Sequence, residues 1–519
     1  MAFNESQARD AMQSMLDTHA AERREFDAIH DYLRPWDAEE AARRLGVERG
    51  GKNFERHADI ARQAQTPVLG LILDTFTQSL KVDGFYTADG KSAESWQWWQ
   101  RNRMNARQAG LHRAALAYGT SYAMVMPAMN NAARISVHSP RRMVTYYGDP
   151  IGLPGSSAVT DEYPMLAMEV DRRHLRLIDE EYVYYYGVEN APTDPAGWWD
   201  RAYFGASNLP FIERRRHNLG VVPVVRYRDQ MMPEGEETHG IIKHLIGLQD
   251  RINMTGYEQG VAQYWAAFKQ RYVIGWMPND EVEAFRQSVA DTQFFEDTEV
   301  KVGQYDETDL TRYIESKQAS FRDLAAAGQI PAQALGANAI SNVSAEGLAS
   351  LEMSKDRKAG ELQTSLGESH EQTLRLTSYV TGDDEGASDF GSEINWAETS
   401  ARSFAQTVDG LGKIVTMLGI PPEEVWQDIP GWTKERVERT LKVRRPVAGD
   451  GLFFDETPTE DTPPAEVSGS PEDLAKAADA LGKLVRSGVD PKDAATRVGM
   501  VGLKFTGQVP VSLRSPEEK

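Results

Sequence analysis

A helical apolar stripe that opens near Gly240 constrains the fold of this chain more than any other feature. Ile241, Leu245, Leu248 and Ile252 recur every three to four residues, and after a shift Val261, Tyr264, Trp265 and Phe268 continue the stripe. At 1.5 Å per residue, a helix over 240–268 would be about 43 Å long, more than an ordinary globular helix. Residues 269–307 are mixed: strand-like RYVIGW, an acidic amphipathic EVEAFRQSV, then QFF and EVKVG, which together predict a small α/β module. A second helix is expected from Asp309 to Ala327, with Leu310, Tyr313, Ile314, Phe321 and Leu324 on its apolar side. Thr308 and Asp309 suit its start, and Gly328 and Pro331 its end. The stretch that follows, IPAQALGANAISNVS at 330–344, has no charged residue in a chain that is 26% charged. A third helix is predicted from Asn342 or Ser344 to about Val380, and Gly347, Gly360 and Gly367 lie inside it. Each glycine weakens a helix by about 1 kcal/mol relative to Ala, so bends or close packing are expected there.

The 519 residues allow roughly three domains of about 150 residues each. Lys and Arg total 57 against 78 Asp and Glu, a net charge of −21, opposite in sign to a dedicated nucleic-acid binder. The absence of cysteine excludes disulfides, thiolate catalysis and cysteine-ligated zinc, and fits synthesis in a reducing compartment. MAFNESQARDAMQSMLD has no basic segment followed by an apolar one, so no leader is predicted. The apolar run PVLGLILDTF at 67–76 is interrupted by Asp74 and is about half the length of a membrane span. A soluble protein is expected.

From Phe3 to about Leu80 the spacing is mostly helical, with Phe26, Ile29, Leu33 and Trp36 on one stripe. From Ser121 to Tyr227 it shortens into strand-like SYAMVM, RISVH, MVTYY, EYVYYYGV and VVPVVRY, separated by turn signals such as Asn130-Asn131 and Gly148-Asp149-Pro150. Helices followed by a β-rich module predict an α+β domain over residues 1–235. Beyond the third helix come an acidic loop, GDDEGASDFGSE, a helical unit from Thr399 to about Lys442, and a linker at 446–471 rich in Pro, Gly and acidic residues. AQTVDGLGKIVTMLGIPPEE at 405–424 and AKAADALGKLVRSGVDPKDA at 475–494 echo each other at an offset of 70, which reads as two similar helical hairpins.

No motif assembles a catalytic constellation. GVERGGKN at 46–53 imitates a phosphate loop but ends in Asn53, follows no strand and carries Glu48. GTSYA at 119–123 lacks the second glycine of a nucleophile elbow, and Ser121 is better read as a strand entry. His239 and His244 are spaced by five, not by the four that puts two ligands on one helical face. Asp383, Asp384, Glu385 and Asp389 lack the alternation of a calcium loop and read as a solvated loop. In SWQWWQRN at 95–102, Trp96 and Trp99 lie three apart, as core-packing residues of a helix do. Neither a cofactor nor a metal site is expected.

Several segments in order resemble the tailed-bacteriophage portal proteins of the SPP1-like type found in phages of actinobacteria. They are LKVDGFY at 80–86, YGTSYAMVM leading into ISVHSPRRM, LGVVPVVRYRD at 219–229, GIIKHLIGLQDRIN leading into AFKQRYVIG, QIPAQALGANAISNVSAEGL, INWAETSARSFAQTVDGLGKIV and the closing GLKFTGQVPVSLR. The resemblance covers most of the chain. It implies a mainly helical α+β, ring-forming fold. Its parts would be an N-terminal wing (1–235), a first stem helix (236–268), a clip (269–307), a second stem helix (308–327) and a tunnel loop (328–344). A bent wing helix with its loop (345–397), a helical wing or crown (398–445), the linker and a helical tail (472–519) would follow. It further implies a non-enzymatic ring, usually of twelve subunits, at one capsid vertex of the virion, assembled in the host bacterial cytoplasm. Implied partners are the terminase large subunit, the head-tail adaptor, the major capsid and scaffold proteins, and double-stranded DNA passing through, with no membrane. Gln329, Gln333, Asn338, Ser341, Asn342 and Ser344 would then face DNA, and Lys269, Arg271, Trp276, Phe294 and Phe295 would dock partners. A tunnel loop without charge has a physical reason, because a basic loop would release counterions from DNA and hold it. Readings from other classes are a DNA-packaging ATPase or nuclease, for which the phosphate loop and acidic metal cluster are lacking, and a minor head protein without a channel.

Overall fold

Asn4 starts the first helix with a capping box, its side chain accepting from the Gln7 amide while the Gln7 side chain accepts from the Asn4 amide. This helix, α1 (Glu5–Tyr32), is followed by α2 (Ala38–Arg44), α3 (Phe54–Ala64), α4 (Val68–Ser79), β1 (Val82–Tyr86), α5 (Trp96–Arg101) and α6 (Met104–Tyr118). The stripe expected to include Leu33 and Trp36 ends sooner, since α1 stops at Tyr32 ahead of Pro35, and Trp36 is buried from the connection that follows. Among the described residues eight strands come next, β2 (Thr120–Ala128), β3 (Ala132–His138), β4 (Met143–Tyr146), β5 (Leu166–Val170), β6 (His174–Ile178), β7 (Tyr182–Gly187), β8 (Phe211–Arg216) and β9 (Val224–Arg228). The remaining elements are α7 (Ile246–Ala266), β10 (Arg271–Ile274), β11 (Lys301–Gln304), α8 (Thr311–Ala327), α9 (Ala345–Thr381), α10 (Asp384–Ala387), β12 (Glu393–Trp396), α11 (Phe404–Leu418) and α12 (Pro491–Arg497).

This computed structural model describes residues 3–50, 53–88, 91–147, 163–171, 173–189, 209–232, 240–266, 271–274, 301–304, 309–336, 345–397 and 404–422. It also describes scattered positions from 425 to 440, then 478–483 and 491–498. The chain divides into two units, Met1–Leu441 and Lys442–Lys519. The 446–471 linker lies outside the described residues.

In the first unit the strand-like runs become two antiparallel sheets, a three-stranded β3-β2-β9 and a five-stranded meander β4-β5-β6-β7-β8. Asn130 and Asn131 both adopt positive φ (61° and 51°) and turn β2 back onto β3, a conformation Asn tolerates better than most residues. The apolar face of α1, with Ala8, Met12 and Leu16, packs on the five-stranded sheet against Met168, Leu175, Tyr184 and Tyr186. The larger core gathers α4, α6, the three-stranded sheet and α9 around Phe76, Trp99, Leu116, Tyr227 and Leu366. Trp99 is fully buried, stacks on Trp96 at 5.2 Å and donates its indole N–H to Asn105 at 2.8 Å, as the packing reading of SWQWWQRN expects. A strand pair unseen in the sequence, β1 with β12, closes this core by joining Val82–Tyr86 to residues 393–396.

Gly240 shows how tightly the approach to α7 is held. Its φ is +66°, and a Cβ there would lie 2.5 Å from the Leu116 carbonyl oxygen, which accepts the Ile241 amide at 2.8 Å. Gly240→Ala is therefore expected to destabilise the unit by about 2 kcal/mol or more. Gly247→Ala, facing open space on α7, should instead stabilise it by up to about 1 kcal/mol. Thermal unfolding of the two variants checks the contrast, and equal midpoints would contradict it.

The second unit contains a helical segment at 478–483 and α12. Its Asp479–Lys483 ion pair (2.8 Å) repeats Asp409–Lys413 of α11 (2.6 Å) at the offset of 70 seen in the sequence echo.

Candidate channel and docking elements

Hydrogen bonds pin one face of α7 to the N-terminal helices. Gln249 donates to the Thr66 carbonyl (2.7 Å), Asn253 accepts the Thr66 amide (3.1 Å), and the Tyr32 hydroxyl donates to Asp250 (2.8 Å). Burial and that carboxylate push the Tyr32 phenol up to about 12. Farther along, an added Cβ at Gly260 would come 2.7 Å from Ile60, so the missing side chain lets α3 lie close against α7. The other neighbour of α7 is α8, tied to it by the Arg251–Asp323 ion pair. The stripe Leu245, Leu248 and Ile252 does enter the core, but the helix begins at Ile246 after a 3-10 turn, not at Gly240. On α8 only Leu324 of the predicted stripe is fully buried, and Ile314 is 46% exposed. Met254 on α7 is 37% exposed. The pair thus has a pinned side and an open side.

The module between these helices is described only at its base, where β10 and β11 pair antiparallel from Arg271↔Gln304 to Ile274↔Lys301. The predicted strands RYVIGW and EVKVG meet there. Lys269, Trp276, Phe294 and Phe295 lie outside the described residues, and Arg271 is placed only as a position on β10.

The stretch after α8 is less loop-like than its composition suggests. The Ile330 amide donates to the Ala325 carbonyl (3.0 Å), closing the helix end with Gln329 at φ 54°. Ile330 is 6% exposed and Ala332 and Leu335 pack against the core, so residues 328–336 form an anchored turn. Gln329 is exposed and Gln333 half-buried. Asn338, Ser341, Asn342 and Ser344 lie outside the described residues.

Gln329 opens onto a groove of about 440 Å³ lined by Met353, Ser354, Arg357, Lys358 and Glu361 of α9. Lys358 pairs with Glu361 at 3.1 Å, while Arg357 has the Met353 thioether, a weak acceptor, at 3.3 Å. Behind them burial pushes the Asp229 carboxyl up to about 7, against the pull of Lys358. Arg357 and Lys358 escaped the sequence reading, although KDRK at 355–358, about three helical turns beyond the uncharged stretch, is a visible signal. With Gln329 they place hydrogen-bond donors along one groove.

Elsewhere the acidic loop is occupied by its own backbone. Asp383 caps α10 by accepting the Gly386 amide (3.0 Å), and Asp389 accepts the Gly391 amide (2.9 Å). Ser121 enters β2 as a buried residue and donates to the Leu111 carbonyl at 2.9 Å. Ser136, His138 and Glu169 have a hydrolase-like spacing, with Ser136 Oγ 2.8 Å from His138 Nε2 and His138 Nδ1 3.4 Å from Glu169. Arg176 holds the second Glu169 oxygen, and the cluster ties β3 to β5 and β6. Among the described residues no group of three or more His, Cys, Asp or Glu could hold a metal ion, and no helix is long and apolar enough to cross a membrane.

A family model described as phage portal protein, SPP1 Gp6-like, matches residues 19–447. The portal protein of Mycobacterium phage D29 is 24% identical over 363 residues, covering 66% of this chain and 71% of that protein. The portal protein of Mycobacterium phage L5 is 24% identical over 430 residues, covering 78% and 83%. Similar solved structures include a chain from the neck of an empty GTA particle (C6 symmetry; TM-score 0.41, 11% identity, 75% of this chain and 95% of that one). Another comes from the neck of a native GTA particle (C12 symmetry; TM-score 0.40, 12% identity, 75% and 94%).

Proposed function

The chain belongs to the SPP1 Gp6-like family of phage portal proteins, and from that premise we propose that α7, α8 and the turn after them line the axial channel of a ring of identical subunits. The ring occupies one vertex of the phage head, passes double-stranded DNA inward during packaging and outward at ejection, and carries the packaging motor and later the head-tail adaptor. It is a structural component of the virion, assembled in the bacterial cytoplasm with the capsid and scaffold proteins. The observation that carries this reading is the order of helix, paired strands, helix, uncharged anchored turn and long helix within the matched residues. The exposed Met254 and Ile314, on helices pinned from one side only, add support, because such faces are normally covered in an assembly. Gln329 and Arg357 then meet DNA as donors to its backbone, without reading sequence.

Electron micrographs of the purified full chain test this reading. Rings with a central hole are expected, and a monomer that turns over ATP would contradict it.

The module on the β10–β11 base is assigned as the docking surface for motor and adaptor. Reversing Lys269 and Arg271 to Glu is expected to weaken terminase capture about tenfold with rings intact, as loss of charged contacts at an interface does. Undiminished capture by intact rings would place docking elsewhere.

A further inference from the structure

We propose that α11 packs side by side with α11 of a second copy of this chain, the large apolar flank of one helix against the small flank of the next; the inference rests on the ring reading above. From Phe404 to Pro422 only Asp409 and Lys413 are charged, in a chain that is 26% charged. The helix is nevertheless open to solvent along two flanks. At about 100° per residue, Ile414, Met417 and Leu418 form one of them, and they are 37%, 79% and 71% exposed. Val408, 42% exposed, shares the other with exposed Gly412 and Thr416.

The flanks differ in size as well as direction. A Cβ at Gly412 would meet nothing within 4 Å, and the Thr416 hydroxyl donates to the Gly412 carbonyl (2.8 Å), so the second flank is shallow and presents little unsatisfied polar surface. The centres of the two flanks lie roughly 165° apart around the helix. Between them, Leu411 and Val415 are half-buried along one edge, while Asp409 and Lys413 pair with each other at 2.6 Å along the opposite edge. A knobbed side and a hollow side are left uncovered. A helix of 15 residues with glycines at 410 and 412 is marginal by itself in water, so it gains from having both sides covered.

A second copy is the occupant these flanks fit. Subunits of a closed ring meet through two unlike patches, so each must carry a face and its complement pointing in nearly opposite directions. One helix carries both here. Copies at net −21 repel one another, and α11 offers a seam whose two charges cancel. Area argues the same way, because one flank of a helix about 22 Å long buries well short of the roughly 800 Å² per partner of a standard interface. Such a contact needs subunits already held together elsewhere, as ring neighbours are.

The chain has no cysteine, so an introduced pair reports this contact without background. Rotational symmetry keeps neighbouring helices level, and residues 412 and 414 differ in height by about 3 Å. In rings assembled from an equal mixture of full-length Gly412→Cys and Ile414→Cys subunits, mild oxidation is expected to link unlike chains. Rings of either variant alone should stay unlinked, because like positions are then a helix width apart, beyond disulfide reach. Gly412→Leu, whose Cβ enters open space, should lower the ring fraction by mass photometry about tenfold, with an unchanged or higher unfolding temperature of the subunit. Intact rings without mixed links, links formed by either variant alone, or a full ring fraction for Gly412→Leu would overturn the inference alone. A wild type that forms no rings would overturn the portal reading and this inference with it.

Discussion

Acidification from pH 7 to pH 5 is expected to destabilise the fold by about 2 kcal/mol for each deeply buried histidine. His112, on α6, has its Nδ1 3.1 Å from the Leu80 carbonyl oxygen, which can only accept, so that nitrogen carries the proton. Its Nε2 is then an acceptor for His370 Nε2–H at 2.7 Å, and His370 Nδ1 accepts the Tyr227 hydroxyl at 3.0 Å. The chain is complete when both rings are neutral, and an added proton would set two N–H groups against each other. Burial lowers His112 to about 4 and His370 well below its ordinary value, and burial likewise lowers His19 to about 4. A folded-state value below the unfolded one means that the unfolded chain binds more protons. The stabilisation is therefore present above about pH 6.5 and is lost as pH falls towards 4. Asp229 acts in the opposite sense, since burial raises its carboxyl to about 7 and the folded state gains from its protonation below that pH. Asp229→Asn should thus steepen the acid loss. Urea midpoints at pH 7 and pH 5 measure both slopes, and a wild-type midpoint that does not fall would refute neutral burial of the pair.

A ring built from the Asn338→Lys, Asn342→Lys subunit is expected to assemble normally and to retain DNA. The uncharged, polar sequence around both positions reads as a loop, and surface substitutions away from packed or hydrogen-bonded groups usually change stability by no more than about 0.5 kcal/mol. In a ring of twelve, however, they would place two dozen ammonium groups around the polymer. If six phosphates are engaged at once, retention should fall on the order of 10³-fold between 50 and 200 mM salt, as counterion release requires. DNase-protected genome length in particles carrying the variant reports the effect. Full-length packaging at the wild-type rate in low salt would mean that these residues do not meet DNA.

The elements were most legible where local chemistry and tertiary demand agree. SYAMVM is a near-continuous apolar run because the central strand β2 is buried on both faces, Ala123 and Val125 in one cluster and Tyr122 and Met124 in another, and Asn130-Asn131 turns it onto β3 because Asn accepts positive φ. The helix stripe at Leu245, Leu248 and Ile252 enters the core. The start of α7 was not legible, because Gly240 is set by the Leu116 carbonyl, a neighbour distant in sequence. Nor was the β1–β12 pair, whose short strands lack a clear alternation and whose register joins Val82 to Trp396. The candidate site divides in the same way. The missing charge of 330–344 was visible, whereas the anchoring of Ile330 depends on a core assembled from other segments.

The sequence by itself determined the order of the longer helices and of the β-rich module, the lack of cysteine and the family resemblance, because periodicity, capping residues and composition are properties of neighbours along the chain. Only the tertiary structure decided that His112 meets His370, that Arg357 joins Gln329, and that Arg375 is buried without an acceptor for its Nε among the described residues. Each depends on segments far apart in sequence, whose meeting is selected by burial of the whole core and leaves no mark in the spacing of either segment.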